Sequence, residues 1–236
     1  MISSMNKSMI FVLGVFLCLP AIHAQDIEIT HKEAGSHFRL ENNISLDYSG
    51  DVSIFGDIEL NKRYGGKAGL ALGWLDEDFE IKAFGSLRFA PLLSIPLNVN
   101  LMYNYNGLPG DAYDCHTHSL LPYVSYNAKW AGISLGINLR FTSFFGEKAI
   151  FESMLSFSGY VNCVNTEKLL VGFRFANFND FYIKNMAAYH IGLYYTFRVT
   201  EQWSIASELE FMQTGGGGLT TIFYGFTYRG GVTFTW

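Results

Sequence analysis

Ile133-Ser134-Leu135-Gly136-Ile137-Asn138-Leu139-Arg140-Phe141-Thr142-Ser143 is the run that decides the fold. Ile133, Leu135, Ile137, Leu139 and Phe141 alternate with Ser134, Gly136, Asn138, Arg140 and Thr142. Successive strand side chains point to opposite faces, so a sustained period of two is a strand with one apolar and one polar face. The same pattern recurs from Ala187 onward. There Tyr189, Ile191, Leu193, Tyr195, Phe197 and Val199 oppose His190, Gly192, Tyr194, Thr196 and Arg198.

Extending this reading predicts about twelve strands. They fall at 37–49, 51–63, 67–75, 78–90, 96–106, 119–130, 132–145, 149–163, 167–177, 186–199, 202–213 and 220–236. A count of about ten follows if two short segments are false. Turns are expected at Ser49-Gly50-Asp51, Gly65-Gly66, Asp76-Glu77-Asp78, Gly146-Glu147-Lys148, Asn165-Thr166-Glu167 and Thr200-Glu201-Gln202.

The faces then sort by charge. The apolar faces carry almost no Asp, Glu, Lys or Arg, and the exceptions, Lys62 and Glu167, lie at strand ends. A soluble barrel puts its apolar face inside, whereas a membrane barrel turns that face to lipid. No stretch after Ala24 is long and apolar enough for a membrane helix. In lipid only helices and closed barrels satisfy every backbone group. The expected fold is therefore all-β, a transmembrane antiparallel up-and-down β-barrel over residues 37–236. Even-numbered connections read short, and the longer ones, 107–118, 178–185 and 214–219, are odd-numbered. Both termini are then periplasmic and the three longer loops external. Trp74, Phe79, Trp130, Phe145, Phe151 and Trp203 fall near strand ends, as interface girdles do.

The chain opens with Lys7, an apolar run from Met9 to Leu19, and Ala21-Ile22-His23-Ala24. That is a secretory signal peptide with cleavage expected after Ala24, followed by a short polar segment, 25–36. Its Ala24-Gln25 junction resembles those of Bacteroidota secreted proteins. The far end carries Arg229, Gly231, Phe234 and Trp236 in the order polar, any, Gly, two of any, aromatic, any, aromatic. This resembles the C-terminal signal of bacterial outer-membrane β-barrels. The resemblance implies an outer-membrane location, outer-membrane lipid around the protein, and the barrel-assembly machinery as a partner reading Gly231, Phe234 and Trp236. With formal net charge −5 and no basic tail or patch, nothing points to nucleic acid.

Few motifs offer chemistry. Asp114-Cys115-His116-Thr117-His118 holds zinc-ligand types, but all within one predicted loop, so it reads as a polar external loop. Gly215-Gly216-Gly217-Gly218 lacks the helix and Lys-Ser or Lys-Thr pair of a phosphate loop. Phospholipase-type barrels pair a lipid-facing His with a Ser two residues on; His118 has Leu120 there, and Ser119 points the other way. No nucleophile and base are matched, and neither an enzyme nor a cofactor or metal site is expected. Cys115 and Cys163 fall at opposite ends of strands, too far apart for the ~7 Å Cα separation of a disulfide.

The polar faces define a candidate lumen: Arg39, Glu41, Asp57, Glu59, Arg88, Arg140, Glu152, Arg174, Arg198, Glu208, Glu210 and Arg229. The arginines look somewhat like the tracks of small twelve-stranded porins for acidic sugars. Alternatively they pair with the carboxylates and fill the interior. Phe55, Phe84, Phe144, Tyr160, Tyr194 and Phe223 also read as inward and narrowing. A narrow channel for small polar or acidic solutes is the first functional expectation, favoured by a gap between arginines and carboxylates. A non-transporting surface barrel that binds or anchors a partner through its loops is the second, favoured by a closed ladder of ion pairs. A lipid-active enzyme is the third.

Overall fold

The computed structural model describes residues 28–43, 48–75, 78–109, 114–145, 149–184, 188–214 and 222–236. Their strands are β1 (Ile29–Asn43), β2 (Tyr48–Leu60), β3 (Tyr64–Leu75), β4 (Asp78–Leu92), β5 (Leu97–Leu108), β6 (Cys115–Asn127), β7 (Ala131–Phe144), β8 (Ile150–Asn165), β9 (Leu169–Ala176), β10 (Ala188–Arg198), β11 (Trp203–Thr214) and β12 (Ile222–Thr235). Each pairs antiparallel with its sequence neighbours. β1 closes on β12, with Arg39 opposite Arg229. Closure removes the sheet edge, which is what a sheet in lipid requires.

The two faces are inverted relative to a soluble protein. Mid-strand Ile54, Leu72, Leu87, Ile137 and Phe173 stand outside, each more than half exposed, whereas Asp51, Lys82 and Glu210 are buried within. Lipid is the environment in which that apolar exterior is stable. Aromatics ring both ends: Trp74, Phe79, Phe145 and Phe151 at one, Trp130, Trp203 and Trp236 at the other, all exposed. At the second rim Phe234 packs on Trp203 and Trp236, with ring centroids 4.9 and 5.6 Å apart. The start of β1 and the end of β12 share the rim of the short turns at 61–63, 93–96, 128–130, 166–168 and 199–202.

Several boundaries differ from the sequence reading. The barrel begins at Ile29 rather than residue 37, because β1 must reach the rim to pair with both β2 and β12: Glu33 lies opposite Asp57 and Thr235. Ser49-Gly50-Asp51 is strand, not turn. Gly50 leaves room for the Trp74 ring, and Asp51 is held inside by Arg39 and Lys82. Gly65-Gly66 is likewise strand. Its turn is made by Asn61 and Lys62 at φ 52° and 54°, a conformation Asn tolerates, while the glycine at 65 makes space under the Arg88 guanidinium. His116 and His118 belong to β6 rather than to a loop.

Phe144 and Phe223 are exposed instead of inward. A register shift after Met212 inserts one residue in β12, so Phe223 pairs Gln213 and leaves the parity that Gly225 keeps with Met212. Phe144 sits at the end of β7, opposite the first residue of β6. Phe55 and Phe84 are buried inside as expected. Cys115 and Cys163 are both free, Cys163 lying at a β8–β9 irregularity. Residues 1–24 and Gly215 to Gly218 lie outside the described residues, and with them the signal-peptide and glycine-loop readings.

Candidate functional site

The lumen is built from two kinds of contact, one along the wall and one across it. Along the wall, inward side chains on near strands pair with each other. On β1, β2 and β4, Arg39 meets Glu41 at 2.5 Å, Asp51 at 2.7 Å and Glu80 at 3.8 Å; Lys82 meets Glu80 at 2.5 Å and Asp51 at 3.0 Å. On β9 to β12, Arg229 meets Glu210 at 2.8 Å and Glu208 at 3.1 Å, Arg174 meets Glu208 at 3.4 Å, and His190 meets Glu210 at 3.0 Å. Arg88 pairs with Glu59. Opposite charges on one face of adjacent strands face each other by geometry.

Across the lumen runs the segment 177–184, between β9 and β10. The sequence reading placed it outside as an external loop; it folds inward. It is a small hairpin with a Phe178–Ile183 bridge. Asn179 Oδ1 accepts the N–H groups of Phe181 and Tyr182, both at 2.9 Å. Asn177, fully buried, roots it: its Nδ2 donates to Leu155 O at 3.0 Å, and its Oδ1 accepts from Phe157 N at 2.8 Å. Phe178 and Ile183 join Met102 and Leu121 in an apolar cluster. Phe181 packs edge-on against Phe84 at 4.7 Å, and Tyr182 stacks on His190 at 4.8 Å. A connection this rich in Phe, Tyr and Ile would expose its apolar side chains outside; inside it buries them.

The hairpin also carries the polar contacts that span the barrel. Asp180 pairs with Lys67 on β3, and β3 lies six strands from β9 round the ring, the opposite wall. Asn104 donates to Asp180 O at 2.7 Å. Arg140 donates to Ile183 O. Lys184 meets Glu41 at 3.5 Å. We call this segment the plug.

Two cavities remain beside it. The first, about 450 Å³, follows β11, β12, β1 and β2 and is lined by residues such as Arg39, Asp51, Glu208 and Arg229. The second, about 310 Å³, lies toward the short-turn rim among Asp57, Arg88, Asn100, Ser125, Ser158 and Tyr160. Of the predicted lumen residues, Arg39, Glu41, Asp57, Arg88, Arg174, Glu208 and Arg229 line one or both. Glu59 backs Arg88, and Glu210 is buried under Arg229. Arg140 faces the plug. Its cross-strand neighbour Glu152 makes no ion pair with it among the described residues and is exposed, as is Arg198 near the end of β10. The continuous arginine track therefore does not form. Sequence reasoning missed Lys67, Asp180 and Lys184 because what they do depends on the plug.

On the outer face, Tyr103 Oη lies 2.7 Å from His118 Nδ1, and Tyr105 Oη 2.8 Å from His116 Nδ1; His116 Nε2 lies 2.8 Å from Asp114. Ser119 is buried on the lumen side, away from His118.

No family model matches the chain, and no curated protein matches it. Solved structures do. The translocator domain of autotransporter NalP from Neisseria meningitidis aligns at TM-score 0.56 and 10% identity, over 98% of this chain and 95% of that one. An outer-membrane channel from Pseudomonas putida F1 aligns at 0.55 and 5% identity, over 92% and 100%. The NanC porin aligns at 0.54 and 11% identity, over 84% and 98%. At these identities the likeness is one of fold, and the fold is that of bacterial outer-membrane β-barrels.

Proposed function

We propose that the protein is an outer-membrane channel for small polar solutes, held closed in this state by the plug, with both chain ends and the short turns on the periplasmic side. One observation carries this reading: the ion-pair ladder hugs the wall, and the contacts that bar the lumen are made by a single segment. Remove 178–183 and the remaining lumen charges pair mainly between strands no more than three apart in the ring, leaving the two cavities open to each other.

The plug's energetics support a movable part. Burying Phe178 and Ile183 contributes about 1.5–3 kcal/mol each. Ordering the segment costs about 1–2 kcal/mol per residue in backbone freedom, which over 177–184 exceeds what those two side chains return, so the plug also depends on its polar contacts. Asn138 and Ser156 are fully buried, and among the described residues their side-chain polar atoms have no hydrogen-bond partner. Buried polar groups without partners are unfavourable, and lumen water would satisfy them once the plug withdrew.

The wall ladder also fits a filled, non-transporting barrel, and the two readings part on one measurement. Planar-bilayer conductance is recorded for the refolded wild type and for a variant with 178–183 replaced by a Gly-Ser linker. The channel reading expects small or intermittent wild-type currents and a several-fold larger, steady conductance in the variant. A variant as silent as a protein-free bilayer leaves the filled barrel.

A further inference from the structure

Four residues line both cavities: Lys67, Arg174, Asn179 and Asp180. They form the neck where the two cavities meet. The wall's share of this neck is two cations, Lys67 on β3 and Arg174 on β9. The plug's share is an amide and one carboxylate.

The wall cations are incompletely matched by the wall itself. The ion pair Lys67 makes among the described residues is with Asp180. Its ammonium otherwise lies over the Phe55 ring, 4.6 Å from the centroid, and 5.7 Å from that of Phe84. Arg174 reaches Glu208 at 3.4 Å, a carboxylate that Arg229 also holds. Asn104 Nδ2 donates to the Asp180 carbonyl and helps hold the plug there. When Asp180 leaves, the half-buried ammonium keeps only the wall carboxylates of its own row, Asp57 opposite it on β2 and Glu33 beyond on β1, neither within ion-pair distance, and the neck has room for another anion.

We propose that this neck is a binding site for a small carboxylate solute, and that Asp180 is its tethered occupant in the closed state. The proposal rests on the reading of the lumen as a solute path and names the class of solute. The present occupant is a carboxylate, which selects that class. Solute and plug compete for Lys67, so binding of the solute and withdrawal of Asp180 are one event. A ligand whose site is open only part of the time binds more weakly by that fraction.

The test is calorimetric binding of citrate to the refolded barrel in detergent, with inorganic phosphate and glucose as parallel titrants. Folding of each variant is verified by heat-modifiable gel migration. Asp180→Asn frees the site and is expected to bind citrate about tenfold more tightly than wild type, the factor for a site occupied by the plug nine-tenths of the time. Lys67→Gln, and separately Arg174→Gln, are expected to lose that binding; glucose is expected to give no heat, and phosphate less than citrate. Equal citrate affinity in Asp180→Asn and Lys67→Gln overturns the site, and phosphate binding more tightly than citrate overturns the carboxylate assignment. The channel is scored separately by the conductance of the Gly-Ser variant. Citrate binding absent from both wild type and Asp180→Asn, in a protein whose Gly-Ser variant conducts, removes the anion site and leaves the channel.

Discussion

Two unequal arcs of the same wall, eight strands and four, solve the polar-interior problem differently. β9 to β12 and β1 to β4 carry charges and pair them strand to strand, with Arg39, Asp51, Lys82, Glu208, Glu210 and Arg229 each held by at least one partner. β5 to β8 carry mostly amides, hydroxyls and apolar groups, and among the described residues their inner face leaves Asn106 Oδ1, Arg140 Nε, Ser156 Oγ and both polar atoms of Asn138 without a hydrogen bond; in the other strands the same holds of His190 Nε2, Glu208 Oε1 and Arg229 Nη2, the last two of which sit in ion pairs. The plug rests Phe178 and Ile183 on these four strands, through Met102 and Leu121. Long-range charge attraction brings its partner across a strand gap, so a charged wall largely completes itself, with Lys67 left to the plug's Asp180. Short amides and hydroxyls need a partner within hydrogen-bond reach, so their wall waits for a segment, a solute or water.

The contrast breaks most visibly in the charged arc. Arg229→Met leaves Glu208 and Glu210 short of their counter-charge inside the barrel. Breaking a buried pair from one side costs about 3–5 kcal/mol. Urea-induced unfolding from lipid vesicles should show a loss of that order; a loss under about 1 kcal/mol would mean that the ladder is solvated and contributes little.

The amide arc separates its two faces at neighbouring residues. Ile137 is 54% exposed on the outer side and Asn138 wholly buried on the inner. An arginine facing lipid near mid-membrane costs about 2–4 kcal/mol, so Ile137→Arg should impair refolding into vesicles by that amount in the same unfolding experiment. If refolding yield and stability were unchanged, Ile137 would not face lipid.

The smallest effect sharpens the comparison furthest. Asn138→Ala removes a group with no hydrogen bond to lose, so unfolding stability should change by no more than about 0.5 kcal/mol. A destabilisation of several times that would show Asn138 bonded through ordered water, and the two arcs would then differ less than their direct contacts imply.

Reading the chain from its residues located eleven strands to within a few positions and failed at the first. Gly50 reads as a turn because glycine's commonest use is punctuation; in the barrel it makes room for Trp74. Gly65 fails the same way beneath Arg88. In both cases the reason for the glycine lies on a neighbouring strand. Phe223 shows a second limit: parity counted along the chain holds only until a bulge, and the bulge after Met212 has no mark in the local composition. The plug had a signal that was passed over. Phe178, Phe181, Tyr182 and Ile183 are too apolar for a connection in water.

The alternation at 133–143 and its counterparts determined by themselves that the chain forms strands and that one face meets lipid and the other a polar interior. These properties follow from the pleat, which sets side-chain direction residue by residue. Only the tertiary structure decided which arginine meets which carboxylate, that Arg140 goes to a backbone carbonyl, and that 177–184 turns inward to place Asp180 on Lys67. Those contacts join residues distant in the chain, and the last of them reaches the opposite wall. Their existence depends on the register in which β1 meets β12 and on the width of the closed ring, quantities that belong to the barrel as a whole.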